Sequence, residues 1–400
     1  MKKKLFAALM AMVMVLSLAA CGGGNNDAGG DSGDSSDGGS GGAAFKIGTI
    51  GPLTGDYAIY GKAVANGAKI AVDEINAAGG DIRFEFQSED DMGDGETSVN
   101  AYNNLMDWGM QLLVGPTTTG ASIAVAAKAF EERTFMLTPS GSSVDIVIDS
   151  NTGANRDNVF QVCFTDPNQG TGSADYIAEN YPDAKVAVIY QNDNAYSQGI
   201  RDTFVSEAAV KGVNIVDEET FTTDTQTNFS VQLTAVQSAG ADLVFLPIYY
   251  QPASVILTQA NQMGYAPTFF GVDGMDGILT MEGFDPALAE GVMLLTPFSA
   301  DAEDERTQNF VKTYQAAYGE LPNQFAADAY DGVYIVKAAL EAAGCTSDMS
   351  STDLCEAVTA VMTSLSVDGL TGQGMTWAED GQVSKAPMAV VIQDGVYVTP

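Results

Sequence analysis

Histidine is absent from this sequence of 400 residues, which contains only 4 cysteines and 2 tryptophans. Without an imidazole side chain, the protein has no histidine general base, no Ser-His-Asp or Cys-His arrangement and no zinc site with imidazole ligands. These absences exclude many classes of hydrolase and metalloenzyme. Nothing else in the sequence predicts a metal site or a cofactor.

Basic residues are also scarce. The sequence has 17 lysines and arginines against 52 aspartates and glutamates, which gives a formal net charge of −35. A surface this acidic repels the phosphates of nucleic acids, so we expect no nucleic-acid partner. We interpret the acidity as a solubility feature of an exposed surface.

The N-terminus holds three of the few basic residues. Lys2 to Lys4 precede an apolar run, Leu5 to Leu18, which is shorter than the roughly 20 residues of a membrane-spanning helix. This pattern predicts a signal peptide over residues 1–20 and export of the protein. The stretch from Leu18 to Cys21 resembles the lipobox of bacterial lipoproteins, which implies a lipidated Cys21 on the outer face of the cell membrane. A plain secretory signal is the alternative.

Residues 21–44 have a composition typical of a flexible tether. After Cys21 the segment consists almost wholly of Gly, Ser, Asp and Asn, without an aromatic or a β-branched side chain. Such a segment cannot bury enough apolar surface to fold. A flexible chain of this length spans on the order of 25 Å, so we expect it to hold a folded body, starting near Phe45, just above a membrane.

The folded body is predicted to be α/β. Short β-branched runs predict strands at Phe45–Ile50, Arg83–Gln87, Gln111–Val114, Phe135–Leu137, Val159–Phe164, Lys185–Tyr190, Val213–Val216, Asp242–Pro247, Thr268–Gly271 and Val292–Thr296. Helical patterns include Tyr60–Ala78, Pro252–Met263, Asp304–Tyr318, Gln324–Ala343 and Thr352–Ser364. Because strands and helices alternate, we expect parallel sheets covered by helices. The body of about 356 residues is longer than a chain that usually folds around one hydrophobic core, so we expect two Rossmann-like lobes.

Two polar loops follow predicted strands, at residues 115–122 and 138–143. Parallel sheets bind small molecules at the carboxyl ends of their strands, and small hydroxyl-bearing loops at a helix N-terminus suit an anion or a carboxylate. The first loop lacks the Gly-Lys-Ser/Thr ending of a nucleotide-binding loop. The alternative for Thr119 in that loop is a simple helix cap.

The cysteines beyond Cys21 divide into two kinds. Cys163 lies in a strand-like run and is expected to be a buried thiol, whereas Cys345 and Cys355 flank a polar loop between helical segments. In an oxidising exterior these two can pair, but the sequence gives no distance between them. Whether they are bonded therefore stays open.

Several motifs in order along the body resemble one family. They are Gly51-Pro52-Leu53-Thr54-Gly55, Tyr60-Gly61, the helix end from Ala71 to Gly80, Asp90-Asp91, Gly115 to Thr138-Pro139, Tyr196-Ser197-Gln198-Gly199, Asp242 to Ala260, and Ala329-Tyr330-Asp331. The body resembles the type I periplasmic-binding-protein fold, specifically the leucine/isoleucine/valine-binding proteins of amino-acid ABC transporters. The resemblance implies a monomeric solute receptor that captures a neutral amino acid, hands it to permease subunits and carries out no chemistry.

The resemblance also implies a role for each polar loop. Thr119 would hold the ligand carboxylate, Ser142 would touch the carboxylate or the amino group, and the carbonyl of Ser140 would accept from the ammonium. Asp273 would pair with that ammonium, although it is shorter than the glutamate more usual there. Five further positions would surround the ligand: Tyr196 and Tyr249 close over it, and Tyr60, Thr117 and Phe325 line its side chain. Because Thr117 replaces a leucine, we expect a wider or more polar pocket. Packing for the two tyrosines at 196 and 249, and a turn for Asp273, are the alternatives.

The implied lobes are discontinuous. The first comprises residues 45–165 and 298–372, the second residues 166–297 and 373–400. The chain would cross a three-stranded hinge near Thr165–Asn168, Thr296–Ser299 and Thr371–Met375. Two alternative functions remain: the same fold with short amides, urea or an aromatic acid as ligand, and a hydrolase that uses carboxylates such as Asp90 and Asp91.

Overall fold

The computed structural model describes residues 43–400. The predicted signal peptide, Cys21 and almost all of the predicted tether lie outside the described residues. In the described part, two β-sheets are each flanked by helices, as the strand and helix pattern predicts. Among residues 43–400 we find no helix that could span a lipid bilayer.

The first sheet contains five parallel strands in the order β2-β1-β3-β4-β5. Their bounds are β1 Phe45–Gly51, β2 Phe84–Asp90, β3 Leu112–Val114, β4 Phe135–Thr138 and β5 Val159–Gln161. Helices cover both faces of this sheet. Every residue of the short strands β3, β4 and β5 is therefore buried.

The second sheet contains seven strands in the order β12-β11-β10-β9-β8-β6-β7. Their bounds are β6 Lys185–Gln191, β7 Asn214–Phe221, β8 Leu243–Leu246, β9 Thr268–Gly271, β10 Met293–Thr296, β11 Met388–Gln393 and β12 Val396–Val398. Strands β6 to β10 are parallel and repeat the order of the first sheet.

The prediction of purely parallel sheets is wrong for the end of the second sheet. Strands β11 and β12 add to β10 in antiparallel orientation. They form a hairpin whose two linking residues, Asp394 and Gly395, have φ values of 51° and 74°. Asp-Gly between two apolar runs is a strong hairpin signal, so the sequence does contain the information.

Ten helices complete the described part of the chain. They are α1 Ala58–Ala78, α2 Gly95–Trp108, α3 Thr119–Glu132, α4 Asp166–Asn180, α5 Ala195–Lys211, α6 Ser230–Ser238, α7 Tyr250–Met263, α8 Glu305–Tyr318, α9 Gln324–Ala343 and α10 Ser351–Met362. Helices α1 to α3, α9 and α10 pack around the first sheet, with α8 against α1, and together they form the first lobe. Helices α4 to α7 surround the second sheet and form the second lobe.

Helix caps fix the residues that face the other lobe. The side chain of Asn323 accepts a hydrogen bond of 3.2 Å from the N–H of Ala326, so α9 begins at Gln324. The helix ends at Gly344, whose φ of 66° suits glycine. This start places Gln324 and Phe325 at the N-terminus of α9, where the second lobe meets it.

We propose that the third connection between the lobes lies later than the predicted boundary at residue 373. Trp377 donates from Nε1 to the carbonyl of Gln161 over 2.8 Å, and Lys385 forms a buried ion pair with Asp328 over 2.6 Å. These contacts hold the chain to the first lobe as far as Lys385. We propose that the second lobe resumes only there, a few residues before β11.

The cysteines of the described part are free thiols. Cys163, Cys345 and Cys355 are all buried and unbonded, so the pairing of Cys345 with Cys355 is not formed. Cys355 lies on the buried face of α10, where burial raises its pKa to about 11.

Candidate functional site

A cleft of about 250 Å³ lies where the carboxyl ends of the two sheets face each other. This is the position at which doubly wound sheets bind ligands, since the strand order reverses at β1/β3 and again at β6/β8. Its lining residues come from both lobes: Tyr60, Thr117, Thr118, Thr119, Ser140, Tyr196, Tyr249, Asp273, Gly274 and Phe325. The structure therefore brings together eight of the nine ligand-binding residues that the sequence indicates.

Thr119 does not cap its helix. It is the first residue of α3, and the capping position belongs to Thr118, whose side chain makes no capping bond. The Oγ1 of Thr119 instead accepts a hydrogen bond of 3.3 Å from the N–H of Ser142. Its hydroxyl hydrogen is therefore available to a ligand, and the first N–H groups of a helix have no partner within the helix itself.

The serine loop after β4 supports this corner of the cleft. Ser140 donates from Oγ to the carbonyl of Thr117 over 2.5 Å, which ties the two polar loops together. Ser142 is fully buried and does not line the cleft. Its backbone holds Thr119 in place, so a direct contact between Ser142 and a ligand does not follow from the geometry.

Asp273 supplies the acid of the second lobe. Tyr196 donates from its hydroxyl to Oδ1 of Asp273 over 2.5 Å and accepts from the N–H of Gly274 over 2.9 Å. Asp273 is only 3% exposed, so it lies deep in the cleft. Burial raises the pKa of Asp273 to about 7, although Tyr196 and Gln169 act to lower it. A buried carboxyl of this kind gains most from a cationic partner.

Aromatic rings form the walls of the cleft. Tyr249 stacks on Tyr196 with a centroid distance of 4.7 Å and meets the edge of Tyr60 at 5.5 Å. Tyr60 in turn packs on Phe325 at 4.6 Å. All four rings, Tyr196 and Tyr249 included, line the cleft.

The hydroxyls of the predicted side-chain pocket point away from it. Thr117 donates from Oγ1 to the carbonyl of Ile50 over 3.1 Å, and Tyr60 donates to the carbonyl of Gly274. Both groups are buried and already paired. Thr117, Tyr60 and Phe325 therefore offer mainly apolar surface there, and a pocket wider than one built for leucine stays a prediction.

The sequence reasoning missed three groups in and around the cleft. Thr118 lines it with a buried hydroxyl that has no partner among the described residues. Gly274 lines it through its backbone. Asp166 starts α4 and is 1% exposed, and neither of its carboxylate oxygens has a partner within residues 43–400. Burial raises the pKa of Asp166 well above its usual range. The sequence signal for Asp166 was its place as an acidic residue in the predicted first hinge segment.

Asp90 and Asp91 serve their own loop and do not line the cleft. Asp90 accepts from the N–H groups of Leu53 and Met92, and Asp91 accepts from the N–H of Gly93 and the hydroxyl of Ser98. Their oxygens organise the turn after β2. Asp90 and Asp91 are therefore not placed to act as the carboxylate pair that the hydrolase alternative requires. In the described part of the chain, no cluster of three or more cysteine, aspartate or glutamate side chains is placed to hold a metal ion.

Comparison with known proteins places the whole body in one family. Residues 44–395 match the periplasmic binding protein family, so the chain belongs to it. This confirms the resemblance drawn from the sequence. Membership implies an extracytoplasmic location, and the relatives are solute-binding proteins and not enzymes.

Two relatives illustrate the similarity. A Leu/Ile/Val-binding protein homolog from Brucella melitensis is 30% identical over 313 residues, which cover 77% of this chain and 82% of that protein. The structure of LivJ from Streptococcus pneumoniae, a branched-chain amino acid transporter substrate binding protein in complex with isoleucine, is 29% identical with a TM-score of 0.77. It covers 90% of this chain and 100% of its own.

Some proteins with the same fold bind other ligands. A solute binding protein from R. palustris in complex with benzoate has a TM-score of 0.78 at 19% identity, over 89% of this chain and 95% of that chain. At this identity the similarity shows the fold alone. The ligand class therefore has to be argued from the residues of the cleft.

Thr119 provides the first test of the site. Thr119→Ala removes a hydroxyl that is free to donate to a ligand carboxylate, and such a bond to a charged group contributes about 1.5–3 kcal/mol. We expect ligand affinity to fall about 10- to 100-fold in titration calorimetry, whereas Thr119→Ser, which keeps the hydroxyl, should bind nearly as wild type. Loss of the Ser142 contact should cost only about 1 kcal/mol of stability. Unchanged affinity in the alanine variant would remove Thr119 from the site.

Proposed function

We propose that the protein is the substrate-binding component of an ABC importer and captures a neutral, branched-chain amino acid between its two lobes. The observation that carries this proposal is that free donors at the start of α3 and the buried acid Asp273 face one small cleft from opposite lobes. Leu/Ile/Val-binding relatives support it.

The charges of the cleft suit a zwitterion. A carboxylate taken out of water needs hydrogen-bond donors, and an ammonium group needs an acid or carbonyls. Thr118, Thr119 and the first N–H groups of α3 supply the donors. Asp273 supplies the acid that would pair with the ammonium. A ligand with both groups on one carbon would contact both lobes at once.

The remaining wall of the cleft suits an aliphatic side chain. Thr117 and Tyr60 have their hydroxyls paired with backbone carbonyls, so a polar ligand side chain would find no free partner on them. Burying an aliphatic side chain against these groups and Phe325 is favourable by about 1.5–3 kcal/mol.

Asp273 also argues against the other ligand classes. Benzoate-type acids have no cation to meet a buried carboxyl, and urea and short amides are neutral. If such a ligand filled the cleft, Asp273 would have to remain protonated or be left as an unpaired buried charge. An amino acid avoids both costs.

A ligand screen tests the proposed function. We expect isoleucine, leucine and valine to raise the melting temperature, because a ligand at 100 times its Kd stabilises by about 2.7 kcal/mol. Lysine, aspartate, urea, acetamide and benzoate should give no shift at equal concentration. A shift with benzoate or an amide and none with any amino acid would contradict the proposal.

The anchoring of the protein is a further part of the proposal. The lipobox-like sequence ending at Cys21 supports a lipid anchor, and residues 21–44 would act as a tether from which a monomeric body reaches permease subunits. Mass spectrometry of the mature N-terminus would detect the diacylglyceryl group. An unmodified Cys21 would contradict the lipid anchor and indicate plain secretion.

A further inference from the structure

Direct hydrogen bonds join the two lobes beside the cleft. Asp276, which follows β9 in the second lobe, accepts through Oδ2 from the N–H of Gln324 at the start of α9 in the first lobe, over 2.9 Å. Gln324 also donates from Nε2 to the carbonyl of Asp273 over 3.1 Å. Asp276 and Gln324 are buried, and neither lines the cleft.

A second set of bonds crosses the interface at Tyr250, the first residue of α7. Its hydroxyl donates to the carbonyl of Asp56 in the first lobe over 2.5 Å. Its N–H donates to the hydroxyl of Tyr60 over 3.2 Å, and that hydroxyl donates to the carbonyl of Gly274. Tyr250 also lies outside the cleft lining. We call the contacts of Asp276 and Tyr250 with the first lobe the inter-lobe latch.

The latch needs the lobes to be together but does not need a ligand. Each of its bonds has one partner in each lobe, so opening the cleft breaks every one of them and exposes the partners to water. The bond to Asp276 has a charged acceptor and a donor at a helix N-terminus, both of which strengthen it. The packing around it is close, because a Cβ placed on Gly277 would lie 2.6 Å from the side chain of Ile59 on α1.

We propose that Asp276 and Tyr250 are positioning residues for ligand binding, which keep a closed population present in the ligand-free protein and so set the affinity for every ligand. This inference rests on the proposed function only in placing the ligand between the lobes. When only a fraction of molecules is binding-competent, the apparent Kd is the intrinsic Kd divided by that fraction. A weaker latch therefore raises the Kd of all ligands by one common factor.

The experiment measures closure without any ligand. Spin labels on Asn103→Cys in the first lobe and Val231→Cys in the second report the distance between two exposed sites, in protein whose Cys21 is replaced by serine. The native cysteines of the described part are buried and should not react. In ligand-free protein we expect a closed population with the latch intact and its loss in Asp276→Ala. Tyr250→Phe, which removes one hydroxyl, should reduce it less.

Affinity and control variants complete the test. Isoleucine, leucine and valine should each bind Asp276→Ala about 10- to 100-fold more weakly, by the same factor, and saturating isoleucine should restore the closed distance. Asp276→Asn keeps an acceptor oxygen and should recover most of the affinity. Asp183→Ala removes an exposed acid of the same lobe and should change nothing.

Two outcomes would overturn the inference. One is identical ligand-free distance distributions in wild type, Asp276→Ala and Tyr250→Phe, and the other is an affinity loss that differs among the three amino acids. Failure of the proposed function looks different, because wild-type protein would then bind no amino acid while its ligand-free distances still responded to the latch variants.

Discussion

Asp273→Asn should weaken the binding of isoleucine by about 30-fold or more. The ammonium of the ligand would then be desolvated beside a neutral amide, and a broken buried charge pair costs about 2–5 kcal/mol. Tyr196 can still donate to the asparagine oxygen, so the local geometry should survive. Titration calorimetry on both proteins measures the effect.

The matched ligand is 3-methylpentanoic acid, which is isoleucine without its amino group. Because it brings no cation to Asp273, its binding should fall far less in the variant than that of isoleucine, or should improve. An equal loss for the two ligands would mean that Asp273 acts through the shape of the cleft. No loss for either would remove it from the site, and with it the main argument for an amino acid.

The pH profile of the same variant supplies an independent reading. Burial raises the pKa of Asp273 to about 7 in the ligand-free protein, and only the ionised carboxyl attracts an ammonium. Isoleucine affinity should therefore be constant above that pKa and should fall by up to tenfold for each pH unit below it. In Asp273→Asn this fall in affinity at low pH should be absent, since the titrating carboxyl is gone.

Lys385→Met should lower the free energy of unfolding by about 3–5 kcal/mol, the second large effect we expect. Both side chains of the Lys385–Asp328 pair are almost fully buried, and Lys385 also donates to Thr371 over 2.6 Å. Removing the cation leaves the Asp328 carboxyl without its partner. Burial already raises the pKa of Asp328 to about 6 although Lys385 acts to lower it, so the variant should protonate this group near neutral pH.

Urea unfolding of three variants tests the effect. Lys337→Met removes the lysine of a solvent-exposed pair with Glu341 and should cost well under 1 kcal/mol. The double variant Lys385→Met with Asp328→Leu replaces both charges by apolar groups and should recover much of the loss. Equal losses in Lys385→Met and Lys337→Met would show that the buried pair contributes no more than a surface pair.

The fold was largely predictable because its signals are local. Strand β10 and helices α1 and α9 follow runs of apolar residues with the right period, and Gly79 and Gly344 mark helix ends. The late third connection that we propose was not predictable in this way. It depends on Trp377 and Lys385 packing against partners more than fifty residues away in sequence.

The residues of the candidate site also differ in whether local sequence could predict them. Loop composition after β3 and β4 indicated an anion or carboxylate site there, and the family resemblance then singled out Thr119 and Ser140. The direction of the Thr117 hydroxyl depends on the carbonyl of Ile50, on another strand, and the sequence alone cannot place it. The burial of Asp166 and Asp273 likewise follows from how the lobes meet, which no single segment determines.

The order of the lobes along the chain sets an order of assembly. Strands β6 to β10 of the second lobe form one continuous stretch, whereas the first lobe needs α8 to α10, which come after β10. A chain that emerges N-terminus first therefore has the central sheet of its second lobe available while its first sheet still lacks α9 on one face. Domains tend to fold as units as they become complete. The first lobe is thus completed only after most of the second lobe has been made. Until then, the apolar side chains of β3 that α9 later covers are exposed to water and to neighbouring chains.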